Sequence, residues 1–96
     1  MNLDKHMENS TKDAQLRHLH LGIWKTLDYI AQNRGLSPSG FAKLSGLDPT
    51  AFNMSKRFGA DGRPRWPSTE TLARALQAAE MTISDFAAIM TAHCAK

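Results

Sequence analysis

Cysteine occurs once in this chain, at Cys94, so no intramolecular disulfide can form and a reducing compartment such as the cytoplasm suits it. No apolar run approaches the roughly 20 residues that cross a bilayer, and the polar N-terminus lacks the apolar segment of a signal peptide. These absences make no membrane association the expectation. No glycine-rich phosphate cradle follows a strand-like run, and no acid–base or nucleophile–base constellation emerges. The chain is therefore expected to be no enzyme, with no catalytic residue and no cofactor. His18, His20, His93 and Cys94 are the candidates for a metal site. His18 and His20 stand two apart, a spacing that suits a strand rather than a helix, and paired zinc-ligand spacing is missing, so no metal is expected.

What is present is a single small domain's worth of chain, 96 residues with a formal net charge of +3. The position of that charge is informative. Up to His20, Asp4, Glu8 and Asp13 offset Lys5, Lys12 and Arg17, whereas Lys56, Arg57, Arg63 and Arg65 face only Asp61 in residues 56–65. A focused basic patch favours a polyanionic partner, although a patch this small also occurs as an ordinary solvated loop.

The patch adjoins residues 36–57, LSPSGFAKLSGLDPTAFNMSKR, which read as two short helices joined by a tight turn. Ser37-Pro38 and Asp48-Pro49 are two helix starts of one kind: an oxygen that caps free N–H groups, then a proline suited to the first helical position. Gly46 stands where the first helix must stop and the chain reverse, a place that usually needs a positive φ. Helices so short and so closely joined cross steeply, which is the layout of a helix-turn-helix. In the second of them, about 49–57, Phe52 is the expected anchor, helped by Ala51 and Leu47. Pro49, Thr50, Asn53, Met54, Lys56 and Arg57 form its other, polar and basic face. Asn can bond an adenine edge twice, and Thr or Met can touch a thymine methyl.

Around this unit the periodicity is helical. Residues 1–19 read as a flexible arm, partly helical if Ser10 and Asp13 cap a short helix; Gly22 weakens any continuous helix there. Ile23, Trp24, Leu27, Ile30 and Ala31 give a buried stripe that ends at Gly35. Residues 58–67, FGADGRPRWP, read as a loop in which Pro64 stiffens the spacing of Arg63 and Arg65, two guanidiniums suited to adjacent phosphates. Trp66 is expected to pack its ring over the core and pin this loop. Ser68 caps a helix with a Leu72, Ala73, Leu76, Ala79 stripe. Thr82 with Asp85 forms a capping box for a last helix carrying Phe86, Ala87, Ile89 and Met90. The fold class is thus all-α, with five helices across a domain of residues 20–92 and a tail at 93–96.

Residues 23–89 resemble the lambda-repressor-like (XRE-type) helix-turn-helix family, through Phe41-Ala42 and Gly46 at the turn, Phe52, and PSTETLARALQAAEMTISDF. More narrowly, GLSPSGFAKLSGLDPTAFNMSKR followed by GRPRWPSTETLARAL looks like the N-terminal domain of phage-type repressors that carry a C-terminal S24 (LexA-like) peptidase domain. The resemblance implies a compact five-helix DNA-binding domain of a transcriptional regulator, a repressor by analogy, that binds double-stranded DNA and normally works as a homodimer. It implies that Ser37, Ser39, Lys56, Arg57, Arg63 and Arg65 hold phosphates, and that Pro49, Thr50, Asn53 and Met54 read bases from the major groove. The peptidase-like half is missing from these 96 residues, so self-cleavage is not expected of them. The competing reading is a protein-interaction module that kept the scaffold and lost DNA binding; it would carry acids or an apolar patch beside the second helix, where this chain has arginines and lysines.

Overall fold

One long helix sets the geometry. In the computed structural model, which describes the backbone of residues 2–94 and the side chains of residues 11–94, α1 occupies Asn2–Asn33. Met1 of the expected arm, Ala95 and Lys96 of the expected tail, and the Ser10 side chain lie outside the described residues. At 1.5 Å per residue these 32 residues make a rod of about 48 Å, close to the molecule's longest dimension of 50 Å. The helix runs straight through Gly22, where an interruption was expected. The glycine there serves close packing: a Cβ would lie 3.2 Å from the end of the Met90 side chain and 3.5 Å from the Cys94 carbonyl.

The two halves of α1 differ. Every residue from Thr11 to Leu19 is exposed, whereas from His20 onward His20, Trp24, Leu27, Ile30 and Ala31 are buried. Around that second half stand α2 (Pro38–Leu44), α3 (Thr69–Ala79) and α4 (Ile83–Ile89), and α4 continues into a π-helical turn over Met90–Cys94. The core joins the α1 stripe to Phe41, Ala42, Phe52, Ala75, Leu76, Ala79 and Phe86. Ala75 takes the inward place expected of Ala73, which is exposed. The π turn belongs to the packed body, because the His93 ring stacks on Tyr29 at 4.8 Å.

The caps form as the residues dictate. Ser37 accepts from the Gly40 N–H and Ser68 from the Thr71 N–H, each at 3.0 Å, and Thr82 and Asp85 exchange both bonds of a capping box. Three helices end in the same way, with a residue in the left-handed region and an N–H reaching back five positions: Leu36 to Ala31, Leu47 to Ala42, and Met81 to Leu76, each at 2.9 Å. The left-handed residue is Gly35 or Gly46 in the first two, but Glu80 (φ 57°) in the third. Leu36, Leu47 and Met81 all pack on the core, the apolar contact that accompanies this kind of stop. The Arg34 guanidinium donates to the Ala79 carbonyl, tying the ends of α1 and α3 together.

Residues 49–57 depart from expectation. They form no α-helix but a string of tight turns, with N–H groups bonded three residues back (Ala51 to Asp48, Asn53 to Thr50, Lys56 to Asn53, Arg57 to Met54) and a 3-10 turn at Met54–Lys56. Asn53 is extended, with φ −64° and ψ 154°. In an α-helix the Phe52 carbonyl takes the N–H of residue 56; here it accepts the Arg57 guanidinium at 2.8 Å. Among the described residues there are therefore four α-helices, not five, and no β-strand beyond an isolated bridge between Phe58 and Pro64. No helix of the described residues is long and apolar enough to cross a membrane.

Candidate nucleic-acid interface

The segment after α2 opens on Asp48. Its Oδ1 accepts the Thr50 hydroxyl at 2.6 Å and the Thr50 N–H at 2.8 Å. These two bonds, with help from the Lys56 charge, hold the Asp48 carboxyl below its ordinary range, so it is ionised at neutral pH. Beyond this turn Phe52 points inward, its ring 5.3 Å from that of Phe41, with Ala51 packed beside it on the core. Pro49, Thr50 and Asn53 are exposed, and Met54 is 68% exposed. All four residues expected to read bases thus lie on the surface, on tight turns rather than on a helix.

Two clefts flank this segment. One, of about 370 Å³, is lined by Asn53 and Met54 together with Pro38 at the start of α2 and Asp28, Gln32 and Leu36. The other, of about 590 Å³, is lined by Thr50 and Lys56 on one side and by Arg65, Trp66, Ser68 and Thr71 on the other. Lys56 and Arg65 are exposed and, among the described residues, make no ion pair, although Asp48 places one negative charge in the same cleft. Ser37 and Ser39 line neither cleft. Ser37 is exposed with its oxygen taken by the Gly40 N–H, and Ser39 is half-buried.

Arg57 was expected to hold phosphate and does not face solvent. It is 7% exposed. Its two terminal nitrogens each donate to the Asp28 carboxylate at 2.7 Å, one of them also to the Phe52 carbonyl, and the guanidinium lies 5.1 Å from the Trp24 ring centre. Its Nε is buried and has no hydrogen-bond partner among the described residues. A fork of donors is well matched to a carboxylate, and here the carboxylate comes from α1. Arg57 is an internal strut that sets the segment against α1.

The loop after it is tightly held. Gly59 N–H donates to the Arg63 carbonyl and Arg65 N–H to the Arg57 carbonyl, each at 2.8 Å. The Trp24 indole N–H donates to the Arg65 carbonyl at 2.9 Å. His20 Nε2 lies 2.9 Å from the carbonyls of both Arg57 and Arg65; since both can only accept, this nitrogen carries the hydrogen and shares it. Trp66, expected to pin the loop with its ring, is 43% exposed and meets His20 only edge-on at 5.2 Å. The pin is His20, buried to 1% exposure, with Trp24. The signal for His20 was its register: it lies three and four residues before Ile23 and Trp24, on the buried stripe. Arg63 is exposed and loosely paired with Asp61 at 3.5 Å. Among the described residues no group of His, Cys, Asp or Glu is arranged to hold a metal ion.

No family model, no curated protein and no solved structure matches this chain. The reading of the surface rests on its own chemistry.

Proposed function

We propose that this chain is a sequence-specific double-stranded DNA-binding domain of a transcriptional regulator, of the lambda-repressor-like helix-turn-helix type. In this reading α2 and residues 49–57 form the two-part unit, and Thr50, Asn53 and Met54, with Pro49 beside them, meet base edges in the major groove. Lys56, Arg63 and Arg65 hold phosphates, and Ser37 and Ser39 at the start of α2 approach the backbone. Arg57 is withdrawn from that set. The observation that carries the reading is the cleft lined by Thr50, Lys56 and Arg65, in which two exposed cations make no ion pair among the described residues and face Asp48 as the one acid of the lining. A polyanion is the partner that chemistry suits. A homodimer, matching an inverted repeat, and a peptidase-like C-terminal partner domain belong to the same proposal.

The rival is a protein-interaction module. It is favoured by the exposure of Met54, Phe58 (40%) and Trp66 in the same region. Selection of bound duplexes from a random pool, followed by titration of two variants, separates the readings. Asn53→Ala is expected to cost roughly 1–3 kcal/mol on the selected site and to blur preference at one base pair. Arg65→Ala is expected to weaken all duplexes alike and to flatten the salt slope by about one. Identical effects of the two variants on selected and random DNA contradict the division of roles; no enrichment of any duplex in dilute buffer contradicts DNA binding.

A further inference from the structure

The exposed half of α1 has a neighbour that the sequence did not bring to it. Arg17 and Leu16 line a cleft of about 240 Å³ whose other wall is Arg63, Pro64 and Trp66 of the loop. The juxtaposition is fixed from below. His20, one turn further along α1, holds the carbonyls of Arg57 and Arg65 and meets the Trp66 ring at its edge. Side chains on a helix lean toward its N-terminus, so Arg17 reaches back over the exposed half of α1, beside the loop tip. It is exposed and, among the described residues, makes no ion pair, not even with Asp13 one turn earlier. Trp66 lines both this cleft and the one holding Lys56 and Arg65. The exposed indole thus borders two clefts that each carry cations: Lys56 and Arg65 in one, Arg63 and Arg17 in the other.

We propose that Arg17, with Arg63 and Trp66, forms a second backbone-binding subsite, through which the first half of α1 carries the DNA contact outward past the base-reading segment. This rests on the DNA-binding reading above. Arg17 and Arg63 each present a planar fork of donors to a phosphate, and the Trp66 ring between the clefts packs on the apolar face of a sugar. The cleft's lining suits this occupant: two guanidiniums and no carboxylate, with Asp61 beside Arg63 loosely held at 3.5 Å and 63% exposed, and Asp13 one turn before Arg17 making no ion pair with it. Such contacts position a duplex and carry no sequence information.

The test is an anisotropy titration of the full chain and of Arg17→Ala against two labelled duplexes at several salt concentrations. One duplex is trimmed to the selected site and the other is extended by a helical turn at each end. Alanine at an exposed helical position keeps the helix, so the variant folds. On the extended duplex Arg17→Ala is expected to lose affinity at low salt and to flatten the log–log salt slope by about 0.9, so that affinity falls about 3.5-fold less between 50 and 200 mM salt. On the trimmed duplex it matches wild type, and base preference is unchanged on both. Protection of Trp66 from a fluorescence quencher by the extended duplex, beyond that given by the trimmed one, is the companion signature; buried Trp24 contributes a constant background.

Wild-type affinity and slope for Arg17→Ala on the extended duplex, with Arg65→Ala still impaired, overturn the subsite and leave the DNA-binding reading standing. Failure of wild type to bind either duplex removes both. Loss of binding to an oligoglutamate probe in Arg17→Ala, with duplex binding unaltered, assigns the cleft to an acidic protein segment and overturns the proposal.

Discussion

Ser37-Pro38 and Asp48-Pro49 are the same local instruction given twice, eleven residues apart, and they have different outcomes. After Ser37 the chain forms α2; after Asp48 it forms a string of tight turns. Both oxygens accept the expected N–H groups, and both segments drive a phenylalanine into the core. The difference lies downstream. In α2 the Phe41 carbonyl accepts the helical N–H of Ser45 at 3.0 Å and the Ser45 hydroxyl at 2.8 Å as well. In the second segment Arg57 captures the Phe52 carbonyl while gripping Asp28 on α1. The same start signal thus precedes a helix in one place and tight turns in the other, where the following residues are tied by Arg57 to α1.

The comparison breaks most visibly at the two phenylalanines. Phe41→Ala and Phe52→Ala are each expected to cost about 3–5 kcal/mol in urea denaturation, since both side chains are almost wholly buried. Their rings are in contact, so the double variant is expected to depart from additivity by about 0.5–3 kcal/mol. A Phe52→Ala loss below about 1 kcal/mol shows that the second segment is not anchored as α2 is.

Arg57→Leu sharpens the comparison. Breaking a fully buried pair costs about 3–5 kcal/mol, but the Asp28 side chain is 40% exposed, so a smaller loss of about 2–3 kcal/mol is expected. With the Phe52 carbonyl released, backbone chemical shifts at residues 50–56 are expected to move toward α-helical values. Unchanged shifts in a folded variant show that something other than Arg57 interrupts the helix.

The smallest effects lie at the caps. Ser37→Ala is expected to lower stability by about 1 kcal/mol, and Asp48→Ala by less, because its turn is fully solvated. The Asp48 bonds also carry a pH dependence. Its folded-state pKa is depressed by the Thr50 hydroxyl and then the Thr50 N–H, which outweigh desolvation, with a lesser pull from Lys56. The contribution of this turn is thus fully present above the unfolded-state pKa and is lost as pH falls through the lower folded value. A titration of the Thr50 amide shift, with a midpoint below that of an exposed aspartate, checks this; a midpoint at the ordinary carboxylate value shows that the Thr50 bonds do not stabilise the ionised carboxyl.

Much of this molecule was legible because it is local. The stripe of Trp24, Leu27, Ile30 and Ala31, the stop at Gly35, the turn at Gly46, the caps at Ser37 and Ser68 and the box of Thr82 with Asp85 each depend on residues within about five positions of one another. Exposure of Thr50, Asn53, Met54, Lys56, Arg63 and Arg65 followed from polarity and from the inward pull of Phe52. Glu80 escaped notice as a helix stop because its left-handed conformation is held by Met81 packing on the core and by Arg34 at the Ala79 carbonyl, not by its own residue type.

The sequence by itself determined the helical class, most helix ends, the inward aromatic residues and which surface carries positive charge, since propensity, capping and periodicity act over one or two turns of chain. Tertiary structure alone decided that Arg57 turns inward to Asp28, that residues 49–57 stop short of a helix, that His20 rather than Trp66 holds the loop, and that Arg17 stands beside Arg63. Each of these is a contest for one hydrogen-bonding group between residues 5 to 46 positions apart, or a meeting across that distance. Only the folded chain, by fixing which groups come within 3 Å of one another, settles such contests.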